Sequence, residues 1–126
     1  MSAVFYLAWV IAIVLVLVGI YALFAPRTLA RGYGVAAEGH ETHGYVRATG
    51  IRDVAFGVAL GATAYFHYLP LLIVLAVVGI AISVADFWIV WHHGHARRLH
   101  PAHAIHASGI VAFVLIIAMA LFAIGK

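Results

Sequence analysis

MSAVFYLAWVIAIVLVLVGIYALFAP, residues 1–26, contains no charged side chain. A helix rises about 1.5 Å per residue and the hydrocarbon core of a bilayer is about 30 Å thick, so roughly 20 mainly apolar residues cross it. This stretch is long enough. Residues 54–85 and 101–125 are likewise free of Asp, Glu, Lys and Arg. Over 126 residues the chain is 67% hydrophobic and 9% charged. Soluble domains run near half apolar and a quarter charged, so a water-soluble fold of this composition would leave apolar surface uncovered. The sequence predicts an all-α integral membrane protein with room for four spans and little else.

Punctuation sets the boundaries. The first helix is expected over about 3–24, stopping before Ala25-Pro26 because proline disfavours helix in the residue before it. It lacks the basic start of a secretory signal and its apolar run exceeds an h-region, so it reads as a retained helix. Residues 27–44, rich in glycine and charge, form one long connection. The second helix is expected over about 45–66. A short turn at 67–69 leads to Pro70, which suits the first turn of a third helix over about 70–91. Residues 92–100 read as a polar loop before a fourth helix over about 101–124. The expected architecture is a single transmembrane domain, residues 1–126, built as a four-helix bundle with both termini on one side.

Arg27, Arg31, Arg97 and Arg98 fall on the loop side, with Arg47 at the start of the second helix. Cytoplasmic loops carry an excess of Lys and Arg, which places loops 27–44 and 92–100 in the cytoplasm and both termini outside. The pI of about 9.6 follows from that bias and gives no reason to expect a nucleic-acid partner. The absence of cysteine excludes disulfides, thiol catalysis and thiolate metal sites.

The second and third helices cannot span without taking in ionisable residues. Residues 54–69 and 70–85 would each cover only about 24 Å. Arg52, Asp53 and Asp86 therefore lie at the edge of the hydrocarbon or within it, where a lone charge costs on the order of 3 kcal/mol. Counted from the cytoplasmic ends, Arg52, Asp86 and His106 come to similar depths of about 8–10 Å. On the second helix Gly50, Asp53, Gly57, Gly61 and Ala64 recur at three- and four-residue steps. On the third, Ala76, Gly79, Ser83, Asp86 and His93 form an equivalent stripe. On the fourth, Ala102, His106, Gly109 and Phe113 share a face, with His103 one turn before His106. Small and polar residues mark the seam between helices in lipid. Asp53, Asp86 and the fourth-helix histidines are thus expected to point inward, with Arg52 paired to one of the carboxylates. Such a layer either fixes helix register as a structural ion network or binds a ligand.

Eight of the nine histidines lie on the predicted cytoplasmic side. Asp86, His103 and His106 form a candidate site for a divalent metal, since a carboxylate and two imidazoles facing one point resemble a facial iron or zinc site. Solvated interfacial histidines account for the same pattern. No phosphate loop, nucleophile elbow or metalloprotease motif is present.

Gly50-Ile51-Arg52-Asp53, followed by Phe56-Gly57 and by Asp86, resembles the small four-helix membrane proteins grouped as domain of unknown function 4267, and is distantly similar to DoxX-like proteins. The resemblance runs from the Pro26 region through the fourth helix. It implies a membrane fold and carries over Arg52, Asp53, Gly57 and Asp86; it implies no activity, and the loop histidines lie outside its pattern.

Three functional readings follow. In the leading one Arg52, Asp53, Asp86, His106 and Ser83 bind the polar part of a small amphipathic ligand or a membrane partner, with the apolar part among the helices. In the second the protein is an intramembrane enzyme acting on a lipophilic substrate, with Asp53 or Asp86 as acid or base and Arg52 stabilising negative charge. In the third an oligomer conducts protons or metal ions. The cofactor, if there is one, is unknown; the lipid bilayer is the expected surrounding.

Overall fold

The computed structural model describes residues 3–32, 39–93 and 101–125. Five α-helices follow one another: α1 (Ala3–Phe24), α2 (Pro26–Gly32), α3 (His40–Tyr65), α4 (Leu69–His93) and α5 (Pro101–Ile124). No strand occurs among the described residues. Three of the four long helices, α1, α4 and α5, lie within two residues of the expected segments. The fourth, α3, begins five residues earlier than the glycine-rich composition of 27–44 indicates.

That connection is the main departure. Its first part is α2, begun at Pro26, whose fixed φ and missing N–H suit the first turn of a helix. Ala25 N–H still reaches Tyr21 O at 2.8 Å and Leu29 N–H reaches Ala25 O at 3.2 Å, so the chain turns with few main-chain bonds lost. Buried Ala30 then meets Ala22 of α1 and Val46 of α3, with Leu29 packed alongside. At its other end Gly39 has φ 113°, a conformation open mainly to glycine, and His43 N–H closes the first turn of α3 on Gly39 O. Glu41 in that turn complements the helix dipole. Residues 33–38 of the expected connection and 94–100 of the expected polar loop, with His95, Arg97, Arg98 and His100, lie outside the described residues.

The turn between α3 and α4 is closed by the main chain. Phe66 N–H bonds to Ala62 O, His67 N–H to Ala64 O and Tyr68 N–H to Thr63 O. The last two are the paired bonds of a Schellman motif, which puts one residue in the left-handed region. Here that residue is His67, at φ 53°, and its ring meets the Phe5 ring edge-on at 4.9 Å.

The helices pack as two pairs. α1 lies chiefly against α3 and α4 chiefly against α5, with lighter α1–α5 and α3–α4 contacts between the pairs. The α1–α3 seam is the small-residue stripe read from the sequence. A Cβ on Gly50 would stand 2.6 Å from Ala22 Cβ and 2.7 Å from Gly19 O, and one on Gly57 would stand 2.8 Å from Ala12 O. Only glycine allows these backbones to touch. One apolar core joins all four long helices, with Val4, Ala8, Leu60, Leu72, Ala76 and Ile116 among its fully enclosed members.

Outside this core the surface is apolar: Leu17, Val58, Val74 and Val114 are all more than 45% exposed. α1, α4 and α5 are each long and apolar enough to cross a membrane. Within the most apolar stretch of each, 28% of α1 and 17% of α4 and α5 is buried against the rest of the chain. Apolar helices with so little burial are compatible with a membrane protein, where acyl chains cover what water cannot. α3 is not among the three, because Arg47, Arg52 and Asp53 interrupt its apolar run.

Candidate functional site: an ion cluster over a cavity

Arg52 leaves α3 about 100° around the helix from Asp53, away from the glycine seam, and its length lets it reach two carboxylates. Its Nη1 donates to Asp86 Oδ1 at 3.1 Å and its Nη2 to Asp86 Oδ2 at 2.8 Å. This is the parallel fork-to-fork pairing that matches guanidinium to carboxylate, stronger than neutral hydrogen bonds. Its Nε and Nη2 also donate to Asp53 Oδ1, at 3.2 and 3.1 Å. The carboxylates are well covered, with side-chain exposures of 13% for Asp53 and 15% for Asp86, against 36% for Arg52. The expected single pairing is therefore a three-membered cluster, and its Arg52–Asp86 arm ties the α1–α3 pair to the α4–α5 pair.

Beside the cluster, between the two pairs, is a half-open cavity of about 250 Å³. Arg52 and Asp53 from α3, Ser83 and Asp86 from α4, and His106 from α5 all line it. The five residues expected to bind a ligand thus border one space. Apart from Ser108, whose hydroxyl donates to Ile105 O at 2.7 Å, its remaining wall is apolar: Val14, Leu15 and Val18 of α1, Ile82 of α4 and Ala112 of α5. Phe56 and Phe113, edge to face with centroids 5.8 Å apart, also line it. Room comes from missing side chains. A Cβ at Gly79 would stand 2.6 Å from the Phe113 ring, and one at Gly109 2.9 Å from Ser83 Oγ.

His103 goes elsewhere. It is buried at 4% exposure between the rings of Phe87 and Trp91, each with its centroid 5.3 Å away and roughly perpendicular. It does not line the cavity that Asp86 and His106 share. Among the described residues no three His, Asp or Glu side chains gather so as to hold a metal ion. His92 is exposed, its ring 3.9 Å from that of Trp88.

Sequence reasoning found the polar residues and the glycines but missed the α1 wall and the aromatic surroundings of His103. Ala8, Ala12, Gly19 and Ala22 mark the packed seam of α1, but its cavity wall is aliphatic like its lipid-facing surface, so no periodic signal distinguishes that wall. Phe87, Trp91 and His103 carry a partial signal, a four-residue step on one helix and a histidine just inside the next.

Fold and cluster together define an all-helical protein with apolar helices of membrane-crossing length and a partly buried ion cluster between them. The chain matches the model of "Domain of unknown function (DUF4267)" over residues 12–121 and belongs to that family. No curated protein and no solved structure matches it. The matched region takes in Gly50 to Gly57 and Asp86, and reaches further into α1 than the resemblance read from residues alone.

Proposed function

We propose that this chain is a multi-pass membrane protein whose four long helices all span the bilayer, and that it holds a small amphipathic molecule between its two helix pairs. In this arrangement α3 is the fourth span, its charges turned inward, and the arginine-bearing connections lie in the cytoplasm. One observation supports the reading above the others: a space of about 250 Å³ has charged and hydroxyl groups on one side and apolar side chains on the rest. An apolar cavity of about 150 Å³ already accepts a benzene-sized guest, so the volume suits a short amphiphile or one end of a longer one. A cluster serving only to fix helix register would not need an open space beside it.

The test is what travels with the purified protein. Native mass spectrometry from a neutral detergent should find a small molecule bound one to one. Ala112→Phe, which fills the cavity without touching a charge, should stay folded and lose it. If the filled variant keeps the molecule, or the wild type releases only detergent and bulk lipid in proportion to the membrane, the cavity is not a binding site.

A further inference from the structure

The hydrogen bonds within the cluster constrain what the cavity can recognise. A guanidinium has five N–H donors, and Arg52 places four hydrogen bonds on its two neighbours. It has about one donor left for a guest. The two carboxylates together offer about eight acceptor positions, of which Arg52 fills four. Asp53 takes both of its bonds on Oδ1, leaving Oδ2 with none from Arg52. The Ser83 hydroxyl on the same wall adds a group that both donates and accepts.

Charge points the same way. With both carboxylates ionised, the cluster carries one negative charge more than Arg52 cancels, beside apolar walls where an uncompensated charge is costly; His106 is the other titratable group on this wall. An anionic head would meet a committed arginine and two carboxylates. A cationic or donor-bearing head would meet free acceptor positions and cancel the excess.

We infer that the cavity selects amphiphiles by a cationic, hydrogen-bond-donating head, an alkylammonium being the simplest member, and rejects carboxylates of the same length. The inference rests on the cavity's being a ligand site at all, and a matched series separates the two. Octylamine, octanol and octanoate share one chain and differ in the head, which at neutral pH is respectively cationic, neutral and anionic. Each is titrated into the purified protein in an uncharged maltoside detergent, with binding read by calorimetry and by the shift in unfolding temperature. Ala112→Phe serves as the control for partition into the micelle.

Octylamine should bind saturably, about tenfold more tightly than octanol, a difference of about 1.4 kcal/mol. Octanoate should bind more weakly than either. Asp53→Asn, which retains an oxygen for Arg52 but removes the excess charge, should lose most of the preference for amine over octanol. Octanoate or octanol binding as well as octylamine would overturn the selectivity while leaving the cavity reading in place, and so would an undiminished amine preference in Asp53→Asn. If none of the three binds beyond what Ala112→Phe shows, the cavity reading itself fails, and the selectivity with it.

Discussion

Arg52 is the residue through which the two helix pairs exchange charge. Breaking a fully buried ion pair by removing one partner costs about 3–5 kcal/mol, whereas an exposed pair contributes about 0–1 kcal/mol. With Asp86 covered and Arg52 about a third open, Asp86→Ala should destabilise by about 2–3 kcal/mol, between those limits. The exchanged pair Arg52→Asp with Asp86→Arg should recover part of the loss of Arg52→Asp alone. Reversible unfolding in mixed micelles measures both; singles within about 0.5 kcal/mol of wild type would mean that the cluster contributes nothing to the fold. The inward facing of Asp53 and Asp86 was legible from the small residues three and four positions away. That Arg52 serves both was not. Spacing fixes where a Cα–Cβ bond points, while a long side chain with five donors chooses among all carboxylates in reach.

At the scale of helices, the α1–α3 seam distinguishes glycines that a sequence pattern treats alike. Gly50→Ala drives a methyl into Ala22 Cβ and the Gly19 carbonyl. Backbone cannot swing aside as a side chain can, so the helices must separate, at a cost of about 1–3 kcal/mol. Gly61 lies on the same stripe, yet a Cβ there would stand 3.5 Å from the Trp9 ring, an ordinary contact. Gly61→Ala should be neutral or stabilise by up to about 1 kcal/mol through helix propensity. The same unfolding measurement compares the two; equal effects would show that the seam is not close-packed. α1, α4 and α5 were legible from uninterrupted apolar length, and α3 from the apolar run that follows Asp53. α2 was not. Its seven residues carry two arginines and a glycine, and a helix so short is stabilised by contacts with Ala22 before the proline and with Val46, sixteen residues beyond Ala30.

For the molecule as a whole, sidedness can be tested cleanly because the chain has no cysteine of its own. In the proposed arrangement Arg31→Cys faces the cytoplasm and Tyr68→Cys the opposite side. In intact cells a membrane-impermeant maleimide should label Tyr68→Cys at once and Arg31→Cys only after the membrane is opened. The reverse pattern would invert the topology, and labelling of both in intact cells would refute the number of spans. The α3–α4 turn bears on the molecule at the same scale. Its geometry is set by main-chain bonds around left-handed His67, and the two helices leave it as long arms. Arg52 and Asp86 sit about 22 and 28 Å along those arms, so a change of about 5° at the turn moves each by about 2 Å. That is more than a hydrogen bond tolerates. The corner at one face of the molecule is thus the pivot of a lever whose far ends are clasped together, with Leu60, Ala64, Leu72 and Ala76 bracing the arms between pivot and clasp.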